Sequence, residues 1–153
     1  MKQLMWAGAI LLGVTGCQTE TTSAVSSEPE TPTVNVLELE VGTCLNDVDQ
    51  PLAQDLVDVP AVECSTPHQS EVFADLVVDD SDYPGIDALT EQAVKGCQAE
   101  FQRFVGVEFA ASELNFHYYY PTQSSWSVGD RSIYCVVFDP GATTVGTLRG
   151  VER

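Results

Sequence analysis

The chain has 153 residues, a length typical of one domain with short appendages, which argues against a multidomain enzyme. It carries 23 Asp and Glu against 6 Lys and Arg, giving a formal net charge of -17. Nucleic acids and anionic lipid headgroups attract cationic surfaces, so this balance predicts neutral or cationic partners and no nucleic acid. Hydrophobic residues make up 44% of the chain, which is enough for a folded domain.

Residues 1–16 have the features of an export signal. Lys2 supplies a positive end, and the apolar run over 4–14 is too short to span a bilayer as a permanent helix. The run ends in Val-Thr-Gly-Cys at 14–17, which resembles the bacterial lipobox. This resemblance predicts a removable lipoprotein signal peptide over 1–16 and acyl chains such as palmitate on Cys17. The alternative is that Cys17 is an ordinary thiol of the signal region.

The composition of the segment after Cys17 predicts a flexible linker. Residues 18–37 contain eight Ser or Thr, two Pro and few residues able to build a core. Such a composition is typical of a flexible linker, so 17–37 is predicted as lipidated cysteine plus linker and 38–153 as the folded domain. The anchor would hold the domain on the extracytoplasmic side of the cell membrane or outer membrane.

Three strands are predicted in the first half of the domain. Glu38–Leu45 alternates between apolar and polar residues, and Leu56–Cys64 is a second candidate that should lie at an edge or bend at Pro60. Glu71–Val78 is the third strand. Its alternation predicts that four apolar side chains share one face: Val72, Ala74, Leu76 and Val78.

A long helix and further strands follow. Ile86–Val105 has apolar residues at intervals of three or four, which predicts an amphipathic helix ending at Gly106. Leu114–Tyr120 and Ile133–Asp139 are predicted strands, and a short strand is expected in Thr143–Leu148. This order predicts an α+β domain in which one helix covers one face of a mainly antiparallel sheet of about five strands.

Four cysteines follow Cys17, an even number in a chain with an export signal, and they predict two disulfides. Three pairings are possible. We favour Cys44 with Cys64, which would join two sequential strands, and Cys97 with Cys135, which would join the helix to a late strand. A zinc site is the alternative, but the cysteine spacings are long and no Cys-x-x-Cys pair occurs. No metal or cofactor is therefore expected.

Short motifs run in order through the predicted domain. They are residues 41–44, residues 62–68 running into 71–72, residues 83–85, Cys97, Phe101, Val105 and Gly106 on the helix, residues 120–122, 125–126 and 129–131, Cys135, and residues 146–150. Together they resemble the septum formation-related domain of bacterial, mainly actinobacterial, envelope proteins. The resemblance covers about Leu39 to Gly150 and implies a role connected with cell division or septum formation. It implies no catalytic residue.

Several residues are candidates for binding. Tyr119, Trp126 and Arg131 combine flat apolar area with hydrogen-bonding groups, a mixture enriched in binding patches. The alternative is that Trp126 closes one end of the domain and that Arg131 pairs with a carboxylate. His68 is a candidate ligand or base, or else a loop imidazole bonded to backbone, and His117 lines a groove or lies on a half-exposed sheet face.

Two classes of function remain. The first is a non-enzymatic, lipid-anchored module of the cell envelope that binds a protein or cell-wall partner. It is favoured because the sequence has an anchor, a tether and disulfides but no Gly-x-Ser-x-Gly, phosphate-loop or His-Glu-x-x-His motif. The second is a small envelope hydrolase or ligand-processing enzyme that uses His68 or His117 with a carboxylate.

Overall fold

A computed structural model describes residues 32–48 and 56–153 of the chain. The predicted signal peptide, Cys17 and the linker up to residue 31 lie outside the described residues. The strands are β1 (Thr33–Asn35), β2 (Cys44–Leu45), β3 (Asp58–Val62), β4 (Ser70–Val77), β5 (Asn115–Tyr119) and β6 (Ser132–Phe138), and the helices are α1 (Ile86–Val105) and α2 (Gln123–Ser127).

The strands form a curled sheet of six strands in the order β1-β3-β2-β4-β6-β5. Every described pairing is antiparallel. The predicted α+β class, with one long helix and a mainly antiparallel sheet, is therefore confirmed. Strand β1 lies upstream of residue 38, inside the segment predicted as linker. Its residues Thr33 to Asn35 pair with β3, so the folded domain includes them.

Helix α1 begins and ends at the predicted residues. Gly106 follows it with φ 99° and donates its N–H to the carbonyl of Gln102, a left-handed cap that suits glycine. The apolar stripe of α1 is buried against one face of the sheet, with Leu89, Cys97 and Phe101 fully inaccessible. Its first apolar residue, Ile86, is instead 58% exposed.

The other face of the sheet holds a second apolar cluster, because the sheet curls around it. The cluster consists of Leu39, Leu45, Val59, Val72, Tyr119, Tyr134 and Val136. His117 and Tyr119 point to this side and are only 9% and 6% exposed. The predicted half-exposed face at His117 is therefore wrong, since the curl of the sheet encloses it.

A β-bulge in β4 corrects the predicted alternation of that strand. Val72 opposes Val136, but Ala74 opposes Cys135, so Phe73 is an extra residue. The extra residue reverses the alternation, since successive side chains point to opposite faces. Val72 consequently joins the second cluster, whereas Phe73 and Ala74 both pack on the helix side.

Two predicted strands are mostly absent. Of Glu38–Leu45, only Cys44–Leu45 is a strand; a 3-10 turn covers Val36–Glu38 and Gly42 takes φ 98°. Within Thr143–Leu148 the structure has a single bridge from Thr144 to His68, and Gly146 takes φ 87°. Backbone at these positive φ angles cannot continue an extended strand, which explains both errors.

Pro60 does not lie at an edge, which was one of the two predicted alternatives, since β3 runs between β1 and β2. The carbonyl of Pro60 accepts from the N–H of Asn46, the residue just after the end of β2. On the other side, the adjacent bonds join Ala61 to Pro32 and Val36 to Val57, which leaves Pro60 at a non-bonded position opposite Thr33. The missing N–H of proline therefore removes no bond between β1 and β3; it faces Asn46, just beyond the end of β2.

Both predicted disulfides are confirmed. Cys44 is bonded to Cys64, and Cys97 to Cys135, with Cα atoms 5.3 Å and 5.5 Å apart. The first joins the short strand β2 to the turn after β3, and the second ties α1 to β6. By the loop-entropy relation they stabilise the domain by about 3 and about 4 kcal/mol.

Candidate functional site: a groove between the edges of the sheet

A groove lies where the two edges of the curled sheet approach each other. Strands β1 and β5 are those edges, and their last residues, Asn35 and Tyr119, both line the groove. Its volume is about 620 Å³. The other lining residues are Val36, Leu37, Leu56, Val57, Tyr83, Ile86, Tyr120, Thr122, Gln123, Ser124, Ser125, Val128 and Asp130.

Three tyrosines, Tyr83, Tyr119 and Tyr120, form one wall of the groove. Burial raises the pKa of Tyr119, and the neighbouring negative charge of Asp47 and the hydrogen bond to it raise the pKa further. Burial, with Tyr120 nearby, also raises the pKa of Tyr83. These two phenols are therefore neutral at physiological pH, and they present flat apolar rings.

Helix α2 supplies the polar side of the groove. Thr122 caps it by accepting the N–H of Ser125, and the Ser125 hydroxyl is 3.0 Å from the Thr122 N–H, which completes a capping box. Asp130 accepts from the Ser125 hydroxyl at 2.8 Å and from the N–H of Ser132 at 3.1 Å. Both oxygens of this carboxylate are already engaged, so it holds the loop in place.

Trp126 and Arg131 stand behind the groove and do not line it. The guanidinium of Arg131 lies 3.7 Å from the centre of the Trp126 ring and donates to the carbonyls of Trp126 and Asp130. Trp126 in turn meets Tyr83 edge-on, with ring centres 5.8 Å apart. The stack Arg131–Trp126–Tyr83 therefore supports one wall of the groove. Arg131 donates to backbone carbonyls and not to a carboxylate, unlike in the alternative interpretation of this residue.

A buried carboxylate holds Tyr119, another residue of the tyrosine wall. Asp47 is fully inaccessible and accepts hydrogen bonds from three side chains. Tyr119 Oη donates at 2.5 Å, His117 Nε2 donates at 3.0 Å, and the hydroxyl of Ser70 donates to the other oxygen. Two strands, β4 and β5, and the loop after β2 meet at this point, which fixes the ring of Tyr119 at the edge of the groove.

The pKa of Asp47 reflects two opposed effects. Burial alone would raise it, but the hydrogen bond and charge of His117, with the bonds from Ser70 and Tyr119, lower the pKa below its ordinary value. The carboxylate is thus ionised inside the domain. Its partners satisfy it, as a buried charge requires.

His68 lies away from the groove and is fully inaccessible. Its Nδ1 donates to the carbonyl of Thr66 at 2.9 Å, as the loop interpretation predicted, and its backbone pairs with Thr144. Nε2 has no partner among the residues that the structure describes. His68 does not line the groove, so the groove gives no support to the binding role predicted for it.

One cluster within 32–48 and 56–153 has the spacing of metal ligands: Cys44, Cys64 and Glu71. Its two sulfurs are joined in a disulfide, so neither is a thiolate. Glu71 is 2% exposed and accepts from the Thr147 hydroxyl and the N–H of Leu148, at 2.7 Å and 2.6 Å. The cluster is therefore a structural tie for the C-terminal segment.

Of the predicted binding residues, only Tyr119 lines the groove. Trp126 and Arg131 support it from behind, and His68 lies elsewhere. Sequence reasoning missed Asp47 and the aliphatic lining from Leu37, Val57 and Val128. No local pattern marks these residues, since they meet only when the sheet curls.

The septum formation family matches residues 15–149 of the chain, well over half of its length. The chain belongs to this family. Its membership confirms the resemblance carried by the cysteine, helix and turn motifs. Neither the curated proteins nor the solved structures gave a match.

Proposed function

We propose that this member of the septum formation family is a non-enzymatic, lipid-anchored module of the cell envelope that binds a partner there. The groove carries this proposal, because its wall is built from aliphatic and neutral phenolic side chains held in place from behind. Pockets lined mainly by apolar and aromatic side chains, with a few polar groups, are typical ligand-binding sites. Septum formation is the process to which the family points.

The anchor and the location rest on chemistry elsewhere in the chain. Cys17 follows an apolar run that ends in Val-Thr-Gly, where a bacterial lipoprotein would carry its acyl groups. Two disulfides favour an oxidising compartment outside the cytoplasm. Among the described residues, none of the helices is both long and apolar enough to cross a membrane.

The arrangement of the histidines favours binding over hydrolysis. A general base must reach the proton it removes, so it has to face the site where substrate binds. Neither His68 nor His117 is among the residues that line the groove. His117 is already committed to Asp47, and His68 is buried beside Thr144.

Metabolic labelling of the full chain tests the anchor. Cells that express wild type or Cys17→Ser are fed an alkyne analogue of palmitate, and the purified chain is assayed for label. We expect label on wild type and none on the variant. Label that persists in Cys17→Ser, or is missing from both, contradicts the anchor.

Complementation tests the absence of catalysis. Cells that lack the chain receive wild type, His68→Gln or His117→Gln, and septa are counted by microscopy while the amount of each chain is measured. We expect either histidine variant to restore septa in proportion to its amount. A variant that is present at the wild-type level, keeps its partner and still fails to restore septa would favour the hydrolase.

A further inference from the structure

We infer that the groove binds an extended polypeptide segment whose aliphatic side chains are flanked by Lys or Arg. This inference rests on the proposed binding function and names the chemistry of the partner. It is carried by three features of the described residues: the apolar rim, the two sheet edges and the distribution of charge.

The rim of the groove exposes large aliphatic side chains to water. Leu37 is 47% exposed, Val57 63%, Ile86 58% and Val128 78%. All four line the same groove, so they form one apolar surface and are not scattered residues. Covering them would remove apolar area from water, which is the main driving force for association.

A polypeptide covers this surface better than a small molecule does. The volume of about 620 Å³ would accept a small ligand, but a ligand inside the groove would leave the rim exposed. The two edges of the sheet, β1 and β5, also end in the groove at Asn35 and Tyr119. Sheet edges offer backbone donors and acceptors to a polypeptide segment, which a lipid tail does not use.

The negative charge around the groove favours a cationic partner. No Lys or Arg is among the groove-lining residues of the described chain. Four exposed acidic residues directly adjoin lining residues in the chain, so their carboxylates lie within the screening length of about 8 Å of the groove. They are Glu38 beside Leu37, Asp58 beside Val57, Asp82 beside Tyr83 and Asp87 beside Ile86. None of them is in an ion pair with a described residue.

The same charge argues against two other occupants. A second copy of the chain would bring together two molecules of formal charge -17. An anionic lipid surface would be repelled in the same way. A segment with basic flanks avoids both penalties and gains electrostatic steering toward the groove.

Photo-crosslinking in the full chain tests this inference. Ile86 and, as a matched control, Val94 are each replaced by p-benzoylphenylalanine. Both positions are exposed on α1, but only Ile86 lines the groove. Cells are irradiated, and crosslinked peptides are identified by mass spectrometry. We expect Ile86, and not Val94, to capture one polypeptide segment with aliphatic residues between Lys or Arg.

Charge substitutions add a second readout. When p-benzoylphenylalanine replaces Ile86, the further substitution Val128→Asp should reduce the yield of crosslinked peptide about tenfold or more, because an apolar contact with the segment is lost. Val145→Asp makes the same change at an exposed valine outside the groove and should leave the yield unchanged. Equal effects of the two substitutions would overturn the groove as the binding site.

The remaining outcomes separate the inference from the proposed function. Capture of a polypeptide by Val94 alone overturns the groove but leaves the binding function in place. Capture of lipid, of a second copy or of an acidic segment by Ile86 overturns the stated partner chemistry. If neither position captures a polypeptide, and a scan over the other exposed residues also captures none, both the inference and the binding function fail.

Discussion

The hydroxyl of Tyr119 donates a hydrogen bond to Asp47 at 2.5 Å, although the two residues are 72 positions apart. Tyr119 also lines the groove, whereas Asp47 is fully buried behind it. This contact joins the second apolar cluster to the candidate binding surface. The stability of the buried network and the shape of the groove are therefore expected to change together.

Asp47→Asn should make the domain less stable near neutral pH, by about 1–3 kcal/mol, because three donors lose a charged acceptor. The pKa of Asp47 is lowered from its ordinary value of 3.8 in the folded state. Its contribution is therefore present above about pH 4 and is lost as the pH falls through the folded-state pKa. The difference between wild type and variant should shrink in acid.

Urea unfolding of the full chain at several pH values measures this difference. Asp79→Asn, in the exposed loop after β4, is the matched control and should change the free energy of unfolding by less than about 0.5 kcal/mol. A difference between wild type and Asp47→Asn that stays constant from neutral pH to pH 3 would contradict the assigned role of the carboxylate.

Tyr119→Phe should lower the free energy of unfolding by about 1.5–3 kcal/mol, the usual value of a hydrogen bond to a charged group. Tyr118→Phe is the control, since Tyr118 is the next residue and packs on the helix side of the sheet. Chemical denaturation compares the two. Equal losses of unfolding free energy in the two variants would mean that the hydrogen bond from Tyr119 to Asp47 adds no stability of its own.

The two disulfides should be reduced in a fixed order. Cys97 and Cys135 are fully buried, whereas Cys64 is partly exposed, so reductant reaches the Cys44–Cys64 bond in the folded protein. We expect dithiothreitol to reduce Cys44–Cys64 first, as followed by alkylation and mass spectrometry. Reduction of Cys97–Cys135 before the other bond would mean that α1 separates from β6 more readily than the burial indicates.

Glu71→Gln should loosen the C-terminal segment. The carboxylate of Glu71 accepts from Thr147 and from the N–H of Leu148 with different oxygens, and glutamine retains only one acceptor oxygen. Hydrogen exchange at the Leu148 amide should speed up by about tenfold, which corresponds to a loss of about 1.4 kcal/mol. Glu63→Gln, at an exposed position, should leave that exchange rate unchanged.

The helix and the cysteine framework could be predicted because their signals are local or few. The spacing of apolar residues in 86–105 repeats with the helical period, and Gly106 marks the end. With four cysteines there are only three pairings, and the strand and helix assignments favoured the one found.

The bulge at Phe73 could not be predicted in this way. The alternation of Glu71–Val78 is regular in sequence, but the partner strand β6 opposes two residues with one at this point. Which face each side chain occupies after the bulge depends on that pairing. The short extent of β2 and the loop at 143–148 depend likewise on Gly42 and Gly146 taking positive φ angles.

The sequence alone determined the composition of the core, the period of α1, the number of disulfides and the family motifs, because each of these is written in neighbouring or identical residue types. The tertiary structure decided which residues meet. Asp47, Ser70, His117 and Tyr119 come together, and Leu37, Val57 and Val128 share a groove, only because the sheet curls until its two edge strands approach. Contacts between residues so far apart in the chain depend on strand order and twist, and no local pattern encodes either.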